Sequence, residues 1–345
     1  MVSRIPGMRR GFRHRSGGSG WAAVLLCLWL LSCAWAAHAD VLIRFSHVVA
    51  RDTPKGLAVE RFKSLVEQRS GGRIRVMVYP AARLYGDLDE MEALRLGAVE
   101  MLAPSLSKFG PIGFPEFELF DLPFLFERLP DVRRVAQGEV GRRLLESLSR
   151  HGLVGLGFFD NGFKQMSANR PLLAPGDFKG LRMRVQASRV IAAQFRALGA
   201  RPVVLAFSET RRALQAGVVD GTENPVSNFW TQGMNEVQTD LSLTNHAYLG
   251  YAVVANQRFW TSLLPRDRAV VTQAMQEALA YGNAIADVEN ERALQALRAA
   301  GTTRIHVLTV QQRTALRTTV QPVYDQLSAR IGAHWIGEVQ QALGR

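Results

Sequence analysis

Cysteine is nearly missing from this chain of 345 residues: there are two, Cys27 and Cys33, and none follows. A disulfide framework or a cysteine-held zinc site is therefore excluded from residue 34 onward. Long apolar runs are also scarce. Only Trp21 to Trp35 is uncharged and largely apolar, and it falls short of the roughly 20 residues that cross a bilayer. Acidic residues are outnumbered, 30 against 42 Lys and Arg, for a net charge of +12. None precedes Asp40, whereas Arg4, Arg9, Arg10, Arg13 and Arg15 do, so the chain from Asp40 onward carries seven of those charges. Enzyme signatures are lacking too: no Walker phosphate loop, no HExxH, no GxSxG elbow. Gly155-Leu156-Gly157 has Asp160 where a dinucleotide fingerprint needs its third glycine. His47, His151, His246, His306 and His334 are scattered without the spacing of a metal pair on one helix face. No cofactor and no metal is expected. Basic residues alternate with acidic ones along the helices, so no nucleic-acid stripe is expected either.

What remains is an ordinary globular composition, 47% hydrophobic and 21% charged, in a chain long enough for about two domains. The basic opening and the apolar run read as a signal peptide over residues 1–39. Ala37-His38-Ala39 supplies the small-x-small site, which predicts cleavage before Asp40 and a cysteine-free product suited to an oxidising compartment outside the cytoplasm. Leu30-Leu31-Ser32-Cys33 as a lipoprotein site and Arg9-Arg10-Gly11-Phe12 as a twin-arginine signal are the competing addresses.

Strand and helix patterns alternate after that. Val41 to Phe45 reads as a strand, and Thr53-Pro54 as the N-cap and first position of a helix that Gly71-Gly72 ends. Ile74, Val76 and Val78 mark a second strand, Asp87 with Glu90 a capping-box start, and Ala98 to Ala103 a third strand. A second α/β unit follows: a helix over 131–150, strands over 153–159, 181–185 and 203–206, a helix over 189–198, and one capped by Ser208 that reaches Ala216. Tyr248 to Ala255 reads as a strand returning to the first unit. Residues 267–299 contain no proline and only Gly282, which predicts one long bracing helix. Alternation of this kind predicts parallel α/β sheets.

The polar residues concentrate in four segments expected at strand ends and loops: Asp160 to Gln165, Leu181 to Gln186, Phe207 to Glu209, and Val219 to Pro225. Small ligands bind at such positions in α/β proteins. Alternation puts Arg182 and Arg184 on one strand face.

The wording and order of these segments resemble the solute-binding proteins of tripartite ATP-independent periplasmic (TRAP) transporters, especially the C4-dicarboxylate receptors. Phe45-Ser46-His47-Val48-Val49-Ala50, Thr53-Pro54-Lys55-Gly56, Asn161 to Asn169, Gly180-Leu181-Arg182-Met183-Arg184 and Val219-Asp220-Gly221-Thr222-Glu223-Asn224-Pro225 carry the likeness. It implies an α/β, two-domain periplasmic binding protein-like fold with a central cleft, hinge strands and a long bracing helix. On this reading domain I is 40–160 plus 250–289 and domain II is 161–249 plus 290–345. The resemblance further implies a receptor, not an enzyme, that closes over a small organic acid and delivers it to TRAP membrane permease subunits, working as a monomer.

Carried over residue by residue, Arg184 matches the family's carboxylate-binding arginine and Asn224 the asparagine beside the same carboxylate. A guanidinium offers two parallel donors to one carboxylate. Lys164, at the position where sialic-acid receptors carry arginine, and Lys55 are expected to meet a second carboxylate, and Phe207 to pack the carbon skeleton. Ser105, Gln186, Ser188, His47, His246 and Tyr248 complete the candidate site. The family usually continues Val-Tyr after Phe207-Ser208-Glu209, where this chain has Thr210-Arg211. The expected solute is succinate, malate or fumarate. Another carboxylate is the alternative solute, a periplasmic enzyme acting on an acid the alternative activity, and a sensor the alternative partner.

Overall fold

The computed structural model describes residues 41–345; the predicted signal peptide and its cleavage site lie outside them. In the first lobe β1 (Val41–Ser46) pairs parallel with β2 (Ile74–Tyr79) and with β3 (Met101–Leu102). Helix α1 (Pro54–Arg69) joins β1 to β2, and the Oγ1 of its N-cap Thr53 accepts the Gly56 amide at 3.1 Å, as Thr53-Pro54 predicts. Helix α2 (Glu90–Leu96) joins β2 to β3. The capping box expected from Asp87 and Glu90 does not form. Asp89 is the N-cap and makes no side-chain cap bond, because the Asp87 and Glu90 carboxylates turn to the Lys108 ammonium instead.

The helix expected over 131–150 is two, α3 (Leu129–Ala136) and α4 (Glu139–Ser147), followed by a short 3-10 turn. Gly138 separates them in an extended conformation, and a Cβ there would fall 2.5 Å from the Arg134 carbonyl oxygen.

The strand expected over 153–159 is a 16-residue strand, β4 (Leu153–Ala168), so Asp160 to Gln165 are strand residues rather than a loop. Its partner β8 (Asp240–Asn256) is likewise longer than Tyr248 to Ala255 suggests. Their antiparallel ladder absorbs three register shifts, between Gly155/Gly157, Asp160/Gly162 and Lys164/Met166. Bulges allow polar residues to be carried inside a paired strand.

In the second lobe β5 (Arg182–Val185) lies between β6 (Arg201–Val204) and β7 (Gly221–Asn224), parallel to both. Helix α5 (Arg189–Ala197) links β5 to β6, α6 (Thr210–Gln215) follows β6, and α7 (Val226–Thr231) follows β7. After α8 (Gln257–Ser262) comes the long helix α9, Pro265–Ala300, which spans 36 residues and hence about 54 Å. Strand β9 (Arg304–Val307) adds to the start of β8, and α10 (Val310–Val320), α11 (Pro322–Ile331) and α12 (Ala333–Ala342) close the chain.

The sheet order is β2-β1-β3-β8-β4-β7-β5-β6, with β9 on β8. It is mixed rather than parallel, since β3/β8, β4/β8 and β4/β7 are antiparallel. The end of β8 pairs with β3 of the first lobe and its beginning with β9, while the end of β4 pairs with β7 of the second lobe. These two strands therefore cross between the lobes, and the domain boundaries expected at 160/161 and 249/250 fall inside them. Helix α9 packs on α1, β4 and α7, bracing both lobes. At Gly282 a Cβ would stand 2.8 Å from the Cβ of Ala58, so glycine is what lets α9 approach α1.

Candidate functional site

Arg184 is carried in by β5 and is 2% exposed. Its Nε donates to the Leu205 carbonyl oxygen at 3.0 Å, and its guanidinium carbon lies 5.8 Å from the centre of the Phe207 ring. Among the described residues no carboxylate is within salt-bridge distance, and the terminal amino groups have no hydrogen-bond partner. Burial lowers its pKa below the ordinary value, with Asp87 and Glu223 pulling the other way. Arg182, two residues earlier on the same strand, is spent at the surface on Asp220.

Lys55, in the first turn of α1, is 1% exposed. Its Nζ donates to the Ala103 carbonyl oxygen at 2.8 Å and lies 3.6 Å from the centre of the Tyr251 ring. It too has no carboxylate at salt-bridge distance among the described residues. Burial lowers its pKa to about 7 against the attraction of Glu90, and the Lys108 ammonium adds to the lowering. Nearby His47 is fully buried with both ring nitrogens unpartnered, and burial followed by the Lys55 charge lowers it to about 3.

Lys164 is placed differently from its expected role. Its Nζ lies 2.8 Å from Oε1 of Glu223 and 3.9 Å from Asp121, so its charge is matched from within the protein. The other Glu223 oxygen meets His246 Nε2 at 2.8 Å, and His246 Nδ1 lies 2.7 Å from Thr244 Oγ1. An ionised carboxylate only accepts, so Nε2 carries the proton and Nδ1 accepts from the threonine. Burial would raise the Glu223 pKa, but Lys164 and His246 outweigh it and hold it at about 2; burial keeps the His246 pKa below its ordinary value. Burial raises Asp121 to about 6 against the pull of Lys164.

Hydrogen bonds join the lobes over the site. Gln186 Nε2 donates to Ser105 Oγ at 2.8 Å, and the Phe207 amide donates to Asp87 Oδ2 at 2.6 Å. Asn224, at the end of β7, donates to Thr222 Oγ1 at 3.3 Å and approaches Met234 Sδ. Ser188 is the N-cap of α5 and accepts the Ile191 amide. Tyr248 is farther back on the crossing strands, where its hydroxyl donates to Asp160 at 2.6 Å. Thr210, standing where the resemblance leads one to expect Val, is fully buried and donates to the Ala206 carbonyl oxygen; Arg211, at the tyrosine position, turns to Glu236 and the Gly233 carbonyl oxygen.

Sequence reasoning gives no site role to Asp87, Glu90, Lys108, Asp121, Tyr251 or the asparagines 161 and 228 that bond to the Tyr251 hydroxyl. Glu223 was inside a quoted segment but carried no role. Among the described residues no group of three His, Cys, Asp or Glu is arranged to hold a metal, and no helix is long and apolar enough to cross a membrane. Of the open cavities of about 810 and 780 Å3, the first is lined by Ser188 and the second by none of the candidate residues, and neither includes Arg184 or Lys55.

Buried polar residues on crossing strands between two lobes suit binding rather than turnover, and the comparisons with known proteins agree. A family model described as "Bacterial extracellular solute-binding protein, family 7" matches residues 45–330. The chain belongs to this family. The receptor is 53% identical over 302 residues to the C4-dicarboxylate-binding periplasmic protein DctP of Rhodobacter capsulatus, covering 88% of this chain and 91% of that one. It is also similar to a TRAP periplasmic solute-binding protein from Sulfurospirillum deleyianum DSM 6946 solved with bound succinate, with a TM-score of 0.85 and 43% identity over 88% of this chain and 99% of that one. A third, from Pseudomonas aeruginosa PAO1 with bound L-malate, gives a TM-score of 0.81 and 42% identity over 83% and 99%. The TRAP assignment and the two-lobed fold made from the sequence are thus shown, and the receptor class with them.

Proposed function

We propose that the receptor captures a C4-dicarboxylate, succinate, malate or fumarate, between its lobes in the periplasm and hands it to a TRAP permease. One observation carries this reading: of four buried cations at the site, Lys108 is matched by Asp87 and Glu90 and Lys164 by Glu223, while Arg184 and Lys55 have no carboxylate. Two unmatched buried cations suit a solute with two negative charges, because a charge held away from water needs an opposite one. Arg184 takes one carboxylate through its free fork with Asn224 beside it, Lys55 takes the other, and Phe207 covers the carbon chain. The relatives named for C4-dicarboxylates, succinate and L-malate support the choice. Residues 40–160 plus 250–289 and 161–249 plus 290–345 are the bodies that close, and cleavage before Asp40 releases the receptor as a monomer.

A thermal-shift screen of the purified receptor against small carboxylates, followed by calorimetry, tests this. A ligand that binds only the folded state must raise the melting temperature. Succinate, malate or fumarate are expected to give the largest shifts; shifts confined to monocarboxylates would overturn the dicarboxylate reading.

A further inference from the structure

Asp87 sits on the loop after β2 with Leu88 and Asp89 turned to solvent beside it, yet its own side chain is only 13% exposed. One oxygen meets the Lys108 ammonium, and the other accepts the Phe207 amide from the far end of the sheet, 120 residues along the chain. In sheet order β2 and β6, the strands that lead into these two residues, are the outermost members on opposite sides. Only the approach of the two lobes brings them within 2.6 Å. The Phe207 amide opens the 3-10 turn Phe207–Glu209 and has no partner within that turn, a position where an anion is favourable. Lys108 serves two carboxylates, Asp87 and Glu90, which leaves one negative charge for a donor across the gap.

Building on the receptor reading above, we infer that Asp87 is the latch of the closed receptor: braced by Lys108 in one lobe, it holds the Phe207 amide of the other and so fixes Phe207 and Arg184 over the solute. Asp87 is a positioning residue, since it acts through Phe207 and not on the solute. The neutral bond from Gln186 to Ser105 supports the same closure, but a charge-assisted bond is about twice as strong as a neutral one. A latch made after the solute has entered slows its escape and leaves its entry unchanged.

Stopped-flow binding of succinate to the wild type, Asp87→Ala and Asp87→Asn tests this. Asp87→Ala leaves Lys108 matched one to one with Glu90, and Asp87→Asn keeps the shape and an acceptor. With Asp87→Ala the dissociation rate is expected to rise about tenfold, the worth of one charge-assisted bond, with the association rate within about twofold and Asp87→Asn in between. An unchanged dissociation rate in a folded variant would overturn the latch. If the wild type binds neither succinate nor any other carboxylate, the receptor reading fails on its own. The latch is then read from interlobe distances between labels on Arg75→Cys and Lys179→Cys, both exposed sites. A shift to longer distances in Asp87→Ala supports it, and superimposable distributions overturn it.

Discussion

Lys164 Nζ lies 2.8 Å from Oε1 of Glu223, 59 residues further along the chain, and neither side chain is more than 1% exposed. Each partner's charge is thus matched from within the protein. The pair's net worth is small as long as it stays whole, because desolvation offsets attraction, but removing one partner strands the other. Glu223→Gln is expected to cost about 3 to 5 kcal/mol in urea denaturation, and Lys164→Met combined with Glu223→Gln to recover part of it. Since the Glu223 pKa is held at about 2, below its ordinary 4.5, its contribution is complete above pH 4.5 and is lost as the pH falls from there toward 2. Acid denaturation that is unaffected by Glu223→Gln would contradict this.

Arg184 is the reverse case, a buried cation with free donors. Arg184→Lys keeps a charge but loses the fork, and Arg184→Ala loses both. Calorimetry with succinate is expected to show a loss of about 2 to 5 kcal/mol for Arg184→Ala, at least thirty-fold in affinity, with Arg184→Lys recovering only part. Unchanged titrations would remove Arg184 from the site.

Lys55 is expected to make binding depend on pH. Its pKa is about 7 against an ordinary 10.5, so between these values the unfolded chain holds a proton that the folded one has given up, and stability rises with pH across that window. A solute carboxylate against Nζ favours the ammonium again, so binding takes up as much as one proton in that window and affinity falls as the pH rises through it. Glu90, Lys108 and Asp87 supply the surrounding charge, and buried His47 is neutral throughout that window. Calorimetry at pH 8 in buffers of different ionisation enthalpy is expected to show this uptake and to lose it in Lys55→Met. Equal proton uptake in both proteins would assign it elsewhere.

Gly162 stands at a bulge of β4 with φ of 141°, and a Cβ there would meet Asn290 Nδ2 at 2.9 Å. Gly162→Ala is therefore expected to destabilise the protein by about 1 to 3 kcal/mol and to disturb the bond from Asn290 to the Asn161 carbonyl oxygen that ties α9 to the crossing strand. Thermal unfolding measures the cost, and a melting temperature equal to wild type would rule out strain at this bulge.

Local chemistry explains which parts of the fold were legible. Thr53-Pro54 caps α1 where expected because a cap is made within four residues, and the proline-free stretch before Gly301 gives α9. The Asp160 to Gln165 segment misled because its polarity suggests a loop. In the structure β8 and β7 pair it with two register shifts along the way, and buried partners such as Tyr248 and Asn283 satisfy its polar groups.

The sequence by itself determined the family, the α/β elements and the long helix, since these rest on residue type, spacing and ordered motifs. Only the tertiary structure decided which cations are free. Lys55, Lys108, Lys164 and Arg184 look alike as letters, but Glu90 and Asp87 reach Lys108 and Glu223 reaches Lys164 from 18 to 59 positions away in the chain. In a site cut off from water a charge is defined by its neighbours, and those neighbours are set by how two lobes meet across strands β4 and β8.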